Sequence, residues 1–249
     1  MGTGAADGIP AIGCHCDHCT RARREGGKLA RLRTAFLISL PSYELLLESP
    51  PDIRNMIITH NIGRIDGMFL SHAHYDHVGG LPEFFYWPED IDLFAEDGVY
   101  EDLVQIVGRK MLKTIAFHCP FRPGTPVQFN QFSFVPFAVE HSMPCYGVAF
   151  HENERRVVYA SDTGPHLSNY ARNLIAGADA LIANVPQFEP VHKNHLTVLE
   201  AIALKKELDV RHLILAHISH HNRPHDELED YVSQFDGVTV AYDGLRLSL

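Results

Sequence analysis

The stretch Ser71-His72-Ala73-His74-Tyr75-Asp76-His77 follows directly on the run Gly67-Met68-Phe69-Leu70, whose apolar side chains are typical of a buried strand. Three histidines and one aspartate therefore share a single loop. Below neutral pH the protonated imidazoles would repel one another, whereas a divalent cation binds the neutral rings and the carboxylate. The first two histidines can reach one centre, and the aspartate and third histidine, past the bend, can reach another. The loop predicts two adjacent metal ions; a histidine-rich surface loop is the alternative.

The chain has 249 residues, of which 45% are hydrophobic and 21% charged, and we predict one α/β domain spanning 1–249. No apolar run approaches the roughly 18 to 20 residues of a membrane span, and the glycine-rich N-terminus does not resemble a secretory signal. We therefore expect a cytoplasmic protein without membrane contact. Lys+Arg minus Asp+Glu is 21 − 31 = −10, which disfavours general nucleic-acid binding.

Strand and helix signals alternate along the chain. Thr197, with Glu200 three residues later, predicts a helix N-cap. The order suits two sheets packed face to face with helices outside. We predict strands over 34–40, 43–48, 68–71, 131–140, 146–151, 156–160, 180–183, 212–216 and 238–241, and helices over 98–113, 197–208 and 226–235.

Three further candidate ligands, His141, Asp162 and His217, follow predicted strands directly. Each alone is weak evidence, because a strand-end histidine is often a solvated cap and Asp162-Thr163-Gly164 also fits an ordinary turn. Together with the loop they supply seven ligands, enough for three at each of two metals and one shared carboxylate. Positions left open for water are typical of a catalytic metal centre.

The H-x-H-x-D-H pattern at 72–77 resembles that of the metallo-β-lactamase-fold hydrolases, and the resemblance runs from Gly2-Thr3-Gly4 to Tyr242-Asp243-Gly244. It implies an αββα sandwich, with two mixed sheets flanked by helices. The resemblance also implies two metals. The first would be bound by His72, His74 and His141, and the second by Asp76, His77 and His217. The carboxylate of Asp162 would bridge them.

A cysteine cluster lies near the N-terminus, in Gly13-Cys14-His15-Cys16-Asp17-His18-Cys19. Three thiolates at this spacing need one more donor to form a closed zinc site. The stretch resembles the extra metal knuckle, here inserted near 13–33, of the phosphodiesterases that open phosphoribosyl cyclic phosphate in phosphonate breakdown. That resemblance implies a structural zinc on Cys14, Cys16, Cys19 and His220. The alternatives are a redox-active thiol group or a different fourth ligand, namely His15, His18 or His221.

His195 precedes the predicted helix at 197–208, where the same phosphodiesterases carry a histidine that meets the phosphate or protonates the leaving oxygen. A solvent-facing residue is the alternative. The expected reaction is the opening of a small cyclic phosphodiester, similar to phosphoribosyl 1,2-cyclic phosphate, with Asp76 and His195 as catalytic residues. Two cations would activate a shared water for the attack. The resemblance suggests Mn²⁺ in the dinuclear centre, where Zn²⁺ also fits, and Zn²⁺ in the knuckle.

Three other functions compete with this one. The protein that assists pyrroloquinoline quinone assembly has the same fold with a similar knuckle, and its role is oxidative rather than hydrolytic. Relatives that process the 3′ end of transfer RNA carry a clasping arm, and no glycine- and proline-rich arm of that kind is evident here. A non-catalytic metal-binding module is the third alternative, which an intact set of seven ligands disfavours.

Two departures from the family pattern stand out. Only Met1 precedes Gly2-Thr3-Gly4, where relatives have a first strand, so we expect a sheet edge that is exposed or covered by a partner such as a second copy. Glu48-Ser49-Pro50-Pro51-Asp52 stands where relatives have an aspartate followed by glycine, which leaves open how the metal loop is supported. We expect Cys145 to be a buried strand thiol and the remaining histidines, His192 among them, to be structural or exposed.

Overall fold

The structure, a computed structural model, describes residues 1–189 and 194–248. Its helices are α1 (Asp17–Glu25), α2 (Ile53–Thr59), α3 (Tyr75–Val78), α4 (Asp97–Val107), α5 (Arg109–Ile115), α6 (Asn169–Ile175), α7 (Val198–Glu207) and α8 (His225–Val232). Its strands are β1 (Phe36–Leu40), β2 (Tyr43–Leu47), β3 (Gly67–Phe69), β4 (Asp92–Ala95), β5 (Phe117–Pro120), β6 (Val127–Gln128), β7 (Ser133–Val139), β8 (Cys145–Glu152), β9 (Arg155–Tyr159), β10 (Ala180–Asn184), β11 (His212–Ala216) and β12 (Val238–Val240).

The strands form two mixed sheets. The first has the order β1-β2-β3-β4-β5, antiparallel between β1 and β2 and parallel elsewhere. The second has the order β12-β11-β10-β9-β8-β7-β6, parallel from β12 to β9 and antiparallel from β9 to β6. Because β7, β9 and β11 run in the same direction, their carboxyl ends meet at one edge of the sheet.

Alternation of side chains along the strands builds the layers. In β2, Leu45 and Leu47 point into an apolar cluster between the sheets, together with Phe134 of the second sheet. Leu46 points to the opposite face, where residues of α2, α4 and α5 cover the first sheet. Residues of α6, α7 and α8 cover the outer face of the second sheet. The predicted αββα sandwich is confirmed.

Most predicted strands occur within two or three residues of their expected ends, and Thr197 caps α7 in a full capping box with Glu200. The single helix over 98–113 is wrong, because Gly108 has a φ of 91° and divides it into α4 and α5. The sequence reading missed several short elements: α1, α2, α3, α6, β4, β5 and β6. Across the described ranges, no helix is both long and apolar enough to span a bilayer.

The N-terminal segment lies along both the start of β1 and the loop after β11. Gly2 forms an antiparallel bridge with Ala35, just before β1, and Gly4 bridges Ile218. On its other side β1 pairs with β2. The first residues of the chain therefore connect one end of the first sheet to a loop of the second.

A buried guanidinium secures this junction. Arg31 is 2% exposed and donates to Thr3 Oγ1 at 2.6 Å and to the Ala241 carbonyl at 2.5 Å. It also donates to Nδ1 of His225 at 2.9 Å. Since a guanidinium only donates, this imidazole nitrogen must accept, which requires a neutral ring. Burial, and then the neighbouring positive charge of Arg31, lower the pKa of His225 to about 4.

We predict that His225 makes folding stability depend on pH. Its folded pKa of about 4 is below the ordinary value of 6.5, so the unfolded chain takes up the proton first as pH falls. The stability that neutral His225 contributes is therefore complete above pH 6.5 and is lost toward pH 4. In urea denaturation, the advantage of the wild type over His225→Asn should shrink across this window. An advantage that stays constant with pH would contradict the assignment.

Candidate metal centre

Loops at the ends of four strands bring the predicted metal ligands together. The 72–77 loop follows β3, and the other three ligands follow β7, β9 and β11. Within it, α3 begins immediately after His74 and carries Asp76 and His77 on its single turn. The three ligands that follow the other strands are His141, Asp162 and His217.

Two of these loops begin in left-handed backbone conformations that non-glycine residues seldom adopt. Ser161, directly before Asp162, has a φ of 55°, and His217 itself has a φ of 56°. Such conformations cost free energy and persist where the surrounding structure fixes them, commonly at functional sites. Here each one turns a ligand away from its strand and toward the common edge.

Three imidazole nitrogens converge on one point. His74 Nδ1 lies 2.9 Å from His72 Nε2 and 3.1 Å from His141 Nε2. The backbone carbonyl of Asn194 lies 3.1 Å from His141 Nδ1 and can only accept, so Nδ1 carries the proton and Nε2 presents a lone pair. Nitrogens on a tetrahedral zinc are about 3.3 Å apart, since each Zn–N bond is about 2.0 to 2.1 Å. The observed spacings are close to this value.

A second group consists of Asp76, His77 and His217. An Asp76 carboxylate oxygen lies 3.3 Å from His77 Nε2 and 3.8 Å from His217 Nε2. Thr34 determines the tautomer of His217, because its hydroxyl donates to the Gly4 carbonyl at 2.9 Å and must accept from His217 Nδ1, also at 2.9 Å. The unprotonated Nε2 of His217 therefore faces the carboxylates.

Asp162 lies between the two groups. Its Oδ2 is 3.4 Å from the nearest nitrogen of His77 and between 3.7 and 3.9 Å from the nearest nitrogens of His72, His141, His195 and His217. The carboxylate is 2% exposed. A single buried oxygen facing five imidazoles is suited to bridging two cations.

Charges in the centre favour cation binding. Burial would raise the pKa of Asp162 and of Asp76, but the facing histidines outweigh it and hold both pKa values below the ordinary range. Burial, followed by the charge of His77, lowers the pKa of His72 well below 6.5. Both carboxylates are therefore ionised, and the His72 ring neutral, at the pH where metals bind.

The stretch 48–52, which departs from the family pattern, supports the metal loop directly. Glu48 is fully buried, accepts from the Ser71 amide at 3.3 Å and places Oε1 3.5 Å from His77 Nδ1. The Ser49 amide donates to the His77 carbonyl at 2.7 Å. A Cβ on Gly80 would lie 2.1 Å from the Pro50 carbonyl oxygen, so only glycine permits this approach. Glu48 and its neighbours thus answer how the metal loop is supported in this chain.

His195 lies at the rim of the centre, two residues before the N-cap of α7. Its Nδ1 is 3.9 Å from Asp162 Oδ2, and its ring stacks near His217 with centroids 5.9 Å apart. The side chain is 18% exposed, so it is open to a substrate. The geometry fits a proton donor, and also a metal ligand, because one nitrogen or oxygen atom each from Asp162, His195 and His217 lie within 4.8 Å of one another.

Cys145, a candidate pocket residue by its nearness in sequence to His141, is 1% exposed at the start of β8. Its sulfur lies 3.5 Å from His72 Nδ1, while the Ser71 hydroxyl is closer at 2.8 Å. The thiol is therefore a buried strand residue, as expected, and contacts the back of a candidate ligand. His192 lies outside the residues that the structure describes.

The cysteine cluster lies around the first turn of α1. Cys14 and Cys16 place their sulfurs 3.5 and 3.6 Å from His220 Nδ1, and Cys19 completes a group whose ligand atoms all lie within 4.8 Å. All three cysteines are thiols. Of the alternative fourth ligands, His221 packs against the His220 ring at a tilt of 38°, with centroids 4.0 Å apart, and does not join the group.

Sequence reasoning missed the polar groups behind these histidines. Asp7 places Oδ2 3.5 Å from His220 Nε2 and accepts from the Ser219 hydroxyl at 3.2 Å. A carboxylate behind a metal-binding histidine fixes its tautomer and orientation. Asp7 and Thr34 are ordinary residues in the sequence, so only the assembled fold reveals their partners.

Comparison with known proteins agrees with this geometry. A profile of the beta-lactamase superfamily domain matches residues 41–218. The octanoyltransferase of Porphyromonas gingivalis is 27% identical over 99% of the chain, which spans about half (52%) of that relative's length.

Two solved structures share the whole fold. A diphosphatase from the PhnP family superimposes with a TM-score of 0.87 and 23% identity, covering 100% of this chain and 95% of that one. Zn²⁺-bound PqqB from Methylobacterium extorquens superimposes with a TM-score of 0.85 and 21% identity, covering 100% of this chain and 98% of that one. The family profile spans more than half of the chain, and the two solved structures share its fold. The chain therefore belongs to the beta-lactamase superfamily and has the metallo-β-lactamase fold.

Proposed function

We propose that the protein is a metal-dependent phosphodiesterase that opens a small cyclic phosphodiester similar to phosphoribosyl 1,2-cyclic phosphate. The observation that carries the proposal is the position of Asp162 Oδ2, within 3.9 Å of four imidazoles from the two ligand groups and of His195. The diphosphatase with the same fold acts on a phosphorus centre, which supports a phosphoryl substrate here.

The donor set fits two divalent cations, Mn²⁺ or Zn²⁺, because neutral imidazoles and carboxylates suit both. Bound there, the cations would supply a water of lowered pKa and positive charge for the phosphoryl oxygens. Asp76, His77 and His217 would hold one cation, and His72, His74 and His141 the other. Asp162 would hold both, and His195 would donate a proton to the departing sugar oxygen.

We predict that Asp76→Asn lowers kcat/KM for a cyclic phosphodiester by at least about a hundredfold, since even partners behind a ligand are worth 10- to 100-fold. The measurement is hydrolysis at saturating Mn²⁺, with metal content determined in parallel. Asp102→Asn, on the exposed side of α4, is the matched control and should keep wild-type activity. Activity of Asp76→Asn within a few-fold of wild type would rule out the assignment.

A substrate panel separates the competing functions. It contains phosphoribosyl cyclic phosphates, cyclic nucleotides, linear diesters including bis-p-nitrophenyl phosphate, and a precursor transfer RNA. Preference for the phosphoribosyl cyclic phosphates would support the proposal. Cleavage of the RNA alone, or of none of these by metal-loaded protein, would refute it in favour of RNA processing or of an oxidative or non-catalytic role.

We predict that His195→Gln distinguishes a proton donor from a metal ligand. A proton donor matters most when the leaving oxygen is strongly basic, so hydrolysis of an alkyl diester should fall about 10²- to 10⁴-fold. Hydrolysis of bis-p-nitrophenyl phosphate, whose leaving group needs no proton, should change little. The bound metal should stay at two ions in the dinuclear centre. Loss of one ion would instead make His195 a ligand.

We further propose that Cys14, Cys16, Cys19 and His220 hold a structural zinc. Their softness favours Zn²⁺ over Mn²⁺, and the N-terminus of α1 favours thiolates. Cys16→Ser should remove one zinc per chain and lower the melting temperature by several degrees. Cys119→Ser, in β5 and away from the knuckle, is the control and should retain the zinc. Unchanged zinc content and melting temperature in Cys16→Ser would contradict a structural zinc.

A further inference from the structure

A chain of buried polar side chains connects the two ligand groups behind the metal centre. Glu48 Oε1 lies 3.5 Å from His77 Nδ1 and accepts from the Tyr159 hydroxyl at 3.1 Å. Asn184 Nδ2 lies 3.3 Å from that same hydroxyl and 2.7 Å from Asp162 Oδ1. Glu48, Tyr159 and Asn184 are each 0% exposed. The three residues come from the ends of β2, β9 and β10.

The ionised Asp162 carboxylate sets the direction of the hydrogen bonds along this chain. An ionised Asp162 only accepts, so the amide nitrogen of Asn184 must face it. The same nitrogen then donates to the Tyr159 hydroxyl, whose single proton goes to Glu48. Asn184 Oδ1 is left buried without a partner among the described residues, an arrangement that costs free energy. The orientation of the amide is therefore set by Asp162 and Tyr159.

The consequence for Asp162 is that its two oxygens have different roles. Oδ1 is occupied by Asn184, while Oδ2 faces the histidines of both groups. At the other end of the chain, Glu48 faces the His77 nitrogen that points away from the metals. The Tyr159 hydroxyl thus lies between Asn184, which supports Asp162, and Glu48, which supports His77.

We propose that the Tyr159 hydroxyl is a positioning group that couples Glu48 to Asn184 and so orients His77 and Asp162 together for metal binding. The inference rests on the proposed dinuclear centre. The Tyr159 hydroxyl acts on His77 through Glu48 and on Asp162 through Asn184, and it also contacts the side chain of Ser161, which precedes Asp162. Its ring has a separate role in the core, packing edge-to-face on Phe36 with centroids 5.6 Å apart.

The test removes the hydroxyl and keeps the ring. Tyr159→Phe should weaken Mn²⁺ binding by about tenfold or more, the lower end of what supports behind metal ligands contribute. Mn²⁺ is the probe because it binds thiolates poorly, so the knuckle does not compete for it. The concentration of free Mn²⁺ is followed by electron paramagnetic resonance. Zn²⁺ affinity is measured in parallel against a chelating dye. Neither measurement uses a substrate, so a failure of the phosphodiesterase proposal would not be mistaken for a failure of this one.

Tyr43→Phe is the matched control, since the Tyr43 hydroxyl donates to Asp92 at 2.9 Å, away from the metal centre. It should leave metal affinity unchanged, and the metal-free melting temperatures should fall similarly in both variants. Asn184→Ala is a second test and should weaken Mn²⁺ binding to a similar extent. If the two residues act through one connection, the double variant should lose less than the product of the two separate losses.

Metal affinities of Tyr159→Phe and Asn184→Ala within twofold of wild type would overturn the proposal and leave a purely structural hydroxyl. Fully independent, multiplicative losses in the double variant would also overturn it. If Tyr159→Phe does not fold, the two ends of the chain are tested with the hydroxyl in place, in Glu48→Gln, Asn184→Ala and the double variant. Losses of Mn²⁺ affinity that fall short of multiplying would support coupling through Tyr159, and multiplicative losses would overturn it.

Discussion

The structure depends on the cost of burying charge. Asp162 carries a carboxylate in the interior, where an isolated ion is strongly disfavoured, and its ionisation requires positive charge nearby. The surrounding imidazoles can supply that charge only by protonation. Burial would lower the pKa of His77, but the three carboxylates around it raise that pKa well above 6.5, whereas burial lowers the pKa of His72 well below it. Metal cations resolve this conflict, because they neutralise the carboxylates and bind the neutral rings. A cation bound beside Asp76 and Asp162 would therefore take over the role that a proton on His77 plays without it.

This requirement explains the local backbone around the site. Parallel and antiparallel pairing brings the ends of β7, β9 and β11 to one edge, but a regular strand would carry its next side chain past that edge. Left-handed turns at Ser161 and His217 redirect the chain, and backbone hydrogen bonds hold the loops together, including Gly164 to Glu140 at 2.7 Å. The backbone strain is confined to these two residues, and the packing of the apolar cores on both faces of the second sheet offsets it.

The sequence predicted the parts of this site whose signal is local. The 72–77 loop could be read because its donors are adjacent, and the sandwich because the long strands have clear apolar runs and Thr197 with Glu200 marks the start of α7. His141, Asp162 and His217 could be proposed only as strand-end residues, since nothing local distinguishes them from caps. Glu48 could be noticed only as a departure from the family pattern, and Thr34, Tyr159 and Asn184 carry no signal, because the partners of all four lie far away in the chain. Gly108, which divides α4 from α5, shows that apolar spacing alone misses a break.

One short segment contributes side chains to both candidate metal sites. His217 belongs to the dinuclear group and His220 to the cysteine knuckle, while Ile218 between them is held by backbone hydrogen bonds to Thr3 and Ala5, both at 3.0 Å. An insertion or deletion in this segment would displace at least one donor. In evolutionary terms, the length of this turn can drift only in lineages that abandon the knuckle, so the cysteines and the turn length should be gained or lost as a unit.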